Sequence, residues 1–195
     1  MALTLLIGGA RSAKSSLAVE WGRRTGGTIT YIATAPRPED DDDHDADMAE
    51  RVDRHRLERP ATWTTVEETV DLADALATAA PHPIVIDCLT LWVSNLMWHG
   101  RSDAEIERLA TITAAQAARY GRPVLAITNE VGLGVHPETE LGRRYRDVLG
   151  RVNQRWAAAA DRSLLLVAGR ALELTDPWAL LPDPTDAPHP ERDGR

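Results

Sequence analysis

The residues Gly8-Gly-Ala-Arg-Ser-Ala-Lys14-Ser15 follow a short apolar run and precede a helical pattern. They match G-x-x-x-x-[A]-K-S, a spacing suited to holding phosphate. Main-chain N–H groups of such a loop converge on phosphate oxygens, and the helix that follows presents its positive end. Lys14 would reach the β- and γ-phosphates and Ser15 would help hold a magnesium ion. Lys14 is the only lysine in a chain whose other basic residues are arginines, and it stands inside this loop. Ala13 occupies a position where the pattern has glycine. If that position needs positive φ, alanine costs about 1 kcal/mol; if not, the methyl only crowds the loop.

Three further groups could do chemistry. Pro83-Ile-Val-Ile-Asp87 is an apolar strand ending in a carboxylate, which can orient a metal or its water beside a phosphate loop or cap the next helix. Glu130 follows a second such strand on the same rim. Arg51, Arg54, His55, Arg56 and Arg59 form a dense basic segment in which Arg51 and His55 would share a helix face. Positive neighbours favour the neutral imidazole. Such a group can attack an α-phosphorus and carry a nucleotidyl group as a phosphoramidate. On residue chemistry alone, the segment reads first as a solvated basic face. His44 sits in a run of aspartates that reads as a solvated loop, and His136 precedes Pro137 without a partner to name. Trp63, Trp92, Trp98 and Trp156 read as core or interface, and Cys88 as buried and inert.

These groups need a scaffold. Strands are expected at Leu3–Ile7, Thr28–Ala33, Pro83–Asp87, Pro123–Thr128 and Ser163–Ala168. Helices are expected at Ser16–Arg24, Leu72–Ala80, Leu89–Trp98, Asp103–Tyr120 and Leu141–Asp161, with another from about Asp47 to before Pro60. Buried strands alternating with helices predict an α/β fold with a mainly parallel sheet and helices on both faces. Ligands bind such sheets beyond the carboxyl ends of the strands. The phosphate loop, Ala33–Ala35, Asp87 and Asn129–Glu130 all fall there. Residues 1–181 are expected to form one domain and 182–195 a proline-rich, mobile tail.

The composition narrows the function. The formal charge of −8 comes almost wholly from Glu39–Asp47, so it says little about partners, and no basic patch argues for nucleic acid. The single cysteine excludes an intrachain disulfide and fits a reducing compartment. The apolar start reads as a buried strand, not a leader, and no apolar run is long enough to span a bilayer. A cytoplasmic protein is expected.

Taken together, the motifs resemble one family. The phosphate loop, Tyr-Ile-Ala-Thr-Ala (31–35), Asp-Met-Ala-Glu-Arg-Val-Asp-Arg-His-Arg (47–56) and Arg-Pro-Ala-Thr-Trp-Thr-Thr-Val-Glu (59–67) are similar to blocks of the adenosylcobinamide kinase / adenosylcobinamide-phosphate guanylyltransferase family. So are Asp-Cys-Leu-Thr-Leu-Trp-Val-Ser-Asn-Leu (87–96), Thr-Asn-Glu-Val-Gly-Leu-Gly-Val-His-Pro-Glu (128–138) and Gly-Arg-Val-Asn-Gln-Arg-Trp-Ala-Ala-Ala-Ala-Asp (150–161). The resemblance runs from about Leu3 to Gly169 and departs from the family at Ala13 and in the tail.

It implies a P-loop NTPase-like (RecA-like) fold and two reactions in cobalamin biosynthesis. One phosphorylates adenosylcobinamide with ATP or GTP. The other transfers GMP from GTP to the resulting phosphate through a guanylylated histidine, which corresponds to His55. The implied nucleotide contacts are Gly8, Gly9, Ala10, Arg11, Ser12, Ala13, Lys14, Ser15, Ala33, Thr34, Ala35, Arg56, Leu57, Glu58, Arg59, Glu67 and Asp87. Magnesium would be held by Ser15 and Asp87, with Lys14 and His55 catalytic. A homotrimer is implied. The alternatives are a single-activity P-loop kinase of a small alcohol and a nucleotide-binding protein without turnover.

Overall fold

The computed structural model describes residues 3–35 and 59–182. Seven strands make one sheet: β1 (Leu3–Gly8), β2 (Thr30–Ala33), β3 (Thr64–Glu67), β4 (Ile84–Asp87), β5 (Val124–Asn129), β6 (Arg162–Val167) and β7 (Arg170–Leu174). Their order is β3-β2-β4-β5-β1-β6-β7, and every pairing is parallel except β6 with β7. Among the described residues five α-helices flank it: α1 (Lys14–Thr25), α2 (Leu72–Thr78), α3 (Leu89–Trp98), α4 (Asp103–Ala118) and α5 (Glu140–Ala159). This is the α/β architecture, with a mainly parallel sheet and helices on both faces, expected from the sequence.

The central strands are buried on both faces, which is why β1, β4 and β5 read as unbroken apolar runs. Alternate residues feed two cores. Leu3, Leu5, Ile7, Ile32, Ile84, Ile86, Val124 and Ala126 pack against α2, α3, α4 and α5. Leu6, Tyr31, Ala33, Val85, Leu125, Ile127 and Leu166 pack on the other face with Ala18 and Val19 of α1 and with Trp63. The phosphate loop is thus the hinge between the sheet and the one described helix on its own face.

Local signals set the helix starts. Ser102 and Glu105 form a reciprocal capping box before α4, Thr139 accepts from Gly142 N–H at the start of α5, and Asp71 accepts from Asp74 N–H at the start of α2. Helix α1 has no side-chain cap, so its first N–H groups remain directed at the loop.

Two strands were not expected. β3 lies at the outer edge, and β7 returns antiparallel after Ala168 and Gly169, both at positive φ (50° and 72°). The expected helix from Asp47, the acidic loop, His44 and the tail from residue 183 onward lie outside the described residues. Among the described residues no helix is long and apolar enough to cross a membrane.

Candidate functional site

The carboxyl ends of β1, β2, β3, β4 and β5 lie along one edge of the sheet. Register places Glu67, Ala33, Asp87, Ile127 and Leu6 in a single row across five strands. Gly8 stands two residues beyond that row, opposite Asn129. Strand alternation puts Asp87 on the same side as Val85, which is the α1 face. The row and the phosphate loop therefore share one corner of the molecule.

The loop is held from within. Lys14 Nζ donates to the carbonyl oxygens of Gly8 (2.9 Å) and Gly9 (2.7 Å) and to Ser12 Oγ (3.3 Å). Its side chain is buried, and so is Ser12, while Gly9, Ala10, Arg11 and Ala13 face outward. Gly8 can only be glycine: a Cβ there would stand 2.4 Å from the Leu166 carbonyl oxygen on β6. Ala13 takes φ 75° and ψ 18°, a left-handed conformation at the cap of α1. The position that departs from the motif is thus one that does need positive φ. Arg11 is left-handed too, at φ 56°. Such a loop points successive N–H groups into one concavity, the geometry of an anion nest. Ser15 follows in the first turn of α1, partly exposed.

Asp87 is fixed by Tyr31 of β2 and by Thr34, the residue that follows β2. The Tyr31 hydroxyl donates to Asp87 Oδ2 at 2.5 Å. Thr34 N–H donates to the Asp87 carbonyl (3.1 Å), and Thr34 Oγ1 accepts from Cys88 N–H (2.8 Å) and lies 2.7 Å from the Cys88 carbonyl oxygen, to which it donates. Asn95 of α3 donates to the Thr34 carbonyl at 2.8 Å and so ties this segment to the opposite layer. Burial, and then the Asp87 charge, hold the Tyr31 phenol well above its ordinary pKa, so it remains a donor. Burial likewise pushes the Cys88 thiol up to about 12, as befits an inert cysteine.

Arg59 lies over the Tyr31 ring, its guanidinium carbon 3.8 Å from the ring centroid, and donates to Thr65 Oγ1 at 3.3 Å. Trp63 stacks beneath the same ring with centroids 6.3 Å apart. Arg59, Glu67 and Asp87, distant in sequence, therefore border one ledge on the α1 face. Ala33 ends β2 in the same row, followed by Thr34, which is fully buried, and Ala35, which is partly exposed. His55, Arg56, Leu57 and Glu58 lie outside the described residues.

A second network sets the other rim. Thr90 Oγ1 accepts from Asn129 N–H (2.9 Å), and Asn153 Nδ2 donates to the Asn129 carbonyl (3.0 Å). Glu130 N–H donates to the Gly8 carbonyl at 3.2 Å, joining β5 to the start of the loop. His136 does have a partner, Arg146, at 2.8 Å. Tyr31 is the residue of this corner to which sequence reasoning gave no role; Trp63, read as core or interface, is buried in the core on the α1 face. A tyrosine in a wholly buried strand was the available signal, because its hydroxyl must find a partner.

Ser15 and Asp87 offer only oxygen donors, which suits magnesium, an ion that keeps several waters and takes one or two protein oxygens plus phosphate oxygens. Among the described residues no cluster of three or more histidine, cysteine, aspartate or glutamate side chains could hold a metal by itself.

A phosphate loop on this sheet is common to many proteins, so the comparisons decide the family. The family model described as CobU, cobinamide kinase / cobinamide phosphate guanyltransferase, matches residues 4–174. The chain belongs to this family. It is similar to the bifunctional adenosylcobalamin biosynthesis protein CobP of Pseudomonas aeruginosa, at 38% identity over 87% of this chain and 95% of the relative. It is also similar to the bifunctional adenosylcobalamin biosynthesis protein CobU of Salmonella typhimurium, at 38% identity over 88% of this chain and 99% of the relative. Among solved structures it is similar to a KaiC-like protein from Pyrococcus horikoshii, with TM-score 0.48 and 14% identity over 84% of this chain and 70% of that one.

Proposed function

We propose that this member of the family catalyses both reactions: phosphorylation of adenosylcobinamide with ATP or GTP, and transfer of GMP from GTP to the resulting phosphate. The observation that carries the reading is the β1–loop–α1 unit, with Lys14 inside the loop and Asp87 on the same corner. Membership of the family supports this choice of substrates.

In this reading the N–H groups of Gly8 to Ser15 cradle the triphosphate and Lys14 turns from its loop contacts toward the β- and γ-phosphates. Ser15 and Asp87 would hold magnesium, which would neutralise charge on the phosphate oxygens. Ala33, Thr34, Ala35, Glu67 and Arg59, with Arg56, Leu57 and Glu58, border the nucleotide. In the transfer reaction, neutral His55 attacks the α-phosphorus, forming a P–N bond as the bond to pyrophosphate breaks. An oxygen of adenosylcobinamide phosphate then attacks the same phosphorus, the P–N bond breaks, and adenosylcobinamide-GDP leaves with the imidazole restored. The homotrimer implied by the resemblance belongs to the same proposal.

One incubation tests it. Adenosylcobinamide, GTP and magnesium with the purified chain should yield the phosphate and then the GDP adduct by mass spectrometry. Accumulation of the phosphate alone would reduce the chain to a kinase, and no product at all would remove the enzymatic reading.

A further inference from the structure

Asp87 carries a fixed geometry that nothing in its own strand supplies. Its main chain is anchored by Thr34, the residue that follows the neighbouring strand β2, and its carboxylate by the phenol of Tyr31 within that strand. Tyr31 is itself packed on every side that the structure describes. It is 1% exposed, stacked on Trp63 at one ring face and capped by Arg59. A carboxylate at a strand end ordinarily samples several rotamers and loses freedom when it takes a ligand. Here that freedom is already spent in folding, and one of the two oxygens is committed to a neutral donor.

We propose that Tyr31 is the positioning residue for Asp87, holding Oδ2 so that the other carboxylate oxygen is pre-set to take magnesium or one of its waters. This rests on the reading of Asp87 as a magnesium-holding residue. Tyr31 touches neither nucleotide nor metal; it acts through Asp87. Arg59 and Trp63 matter in turn because they hold the ring that carries the hydroxyl. Preorganisation of this kind raises metal affinity without altering the contacts that nucleotide makes by itself.

The decisive variant is Tyr31→Phe, which keeps the ring, its stack on Trp63 and the Arg59 contact while removing one hydroxyl. Manganese serves as the probe, its binding to the GTP complex followed by electron paramagnetic resonance, which needs no turnover. The expected result is a loss of about tenfold in manganese affinity, the scale of one hydrogen bond to a charged group. GTP binding measured in chelator should be unchanged. In an Asp87→Asn background, the same Tyr31→Phe change should have no further effect on manganese. Unaltered manganese affinity in Tyr31→Phe, or an equal loss that persists in Asp87→Asn, overturns the proposal. If instead the wild-type chain binds GTP with no metal dependence, or Asp87→Asn leaves manganese binding intact, the reading of Asp87 fails first.

A second measurement does not rely on Tyr31→Phe folding. The chain has three tyrosines, so 3-fluorotyrosine labelling gives three resonances, assigned with Tyr120→Phe and Tyr145→Phe. Magnesium added to the GTP complex should shift the Tyr31 resonance in the wild type and leave it in place in Asp87→Asn. A resonance indifferent to magnesium in the wild type overturns the proposal.

Discussion

Gly22 on α1 and Trp63 before β3 meet so closely that a Cβ on Gly22 would stand 2.5 Å and 2.6 Å from two carbons of the indole ring. This contact seats the helix that follows the phosphate loop on the aromatic stack beneath Arg59. Gly22→Ala gains about 1 kcal/mol of helix propensity but overpacks the site at a typical cost of about 1–3 kcal/mol. The expected outcome is net destabilisation in urea denaturation. Gly150 lies in α5 with nothing within 4 Å of its would-be Cβ, so Gly150→Ala should stabilise instead. Two equal shifts of the same sign would remove this account of Gly22.

Ala13 sits at φ 75°, where alanine is disfavoured by about 1 kcal/mol and glycine is not. Ala13→Gly should therefore make the loop conformation easier to hold and tighten GTP binding, by no more than about fivefold. Folding stability should move less, since glycine also enlarges the unfolded ensemble. Calorimetric titration with GTP decides the point, and an unchanged dissociation constant would show that the loop pays no strain for its methyl.

Much of this corner was legible in the sequence, for identifiable reasons. β1, β4 and β5 are buried on both faces, so each reads as an apolar run ending at a residue of different character: Gly8, Asp87, Asn129. The loop follows from glycine and lysine spacing alone. β3 was not legible because Thr-Thr-Val-Glu is an edge strand, exposed in its first half, with no apolar run to mark it. β7 was hidden for a related reason. All five of its residues are exposed, Arg-Ala-Leu-Glu-Leu has helix-favouring composition, and its register depends on a two-residue turn made by Ala168 and Gly169 in left-handed geometry. The Tyr31–Asp87 bond joins residues 56 apart, a relation that only the β2–β4 pairing creates.

Lys14 should not tolerate arginine, although the chain uses arginine for every other basic position outside histidine. Its ammonium reaches two carbonyl oxygens and one hydroxyl of its own loop from a buried position, with donors directed around a point. A planar guanidinium is larger, presents its donors in a fork, and cannot fit this turn without opening it. Lys14→Arg should weaken GTP binding by on the order of a hundredfold, the scale of losing charge-assisted contacts to phosphate. Circular dichroism should be unchanged. Equal GTP affinity in the two proteins would mean that the phosphates lie elsewhere.

His55 carries the finest part of the proposed chemistry, and its effect can be separated from everything the phosphate loop does. If the imidazole forms the P–N bond, His55→Ala removes the nucleophile but leaves Gly8–Ser15, Lys14 and Asp87 untouched. Phosphorylation of adenosylcobinamide should persist, while GMP transfer should fall by about a thousandfold or more, as when a covalent nucleophile is deleted. α-Labelled GTP should mark the wild-type protein with a linkage stable to base and labile to acid, the behaviour of a phosphoramidate, and should leave His55→Ala unlabelled. The linkage chemistry matters, because a phosphoester on a hydroxyl would show the opposite stability. Labelling retained in His55→Ala would transfer the nucleophile to another residue; loss of both reactions together would make His55 part of the triphosphate site and not its attacking group.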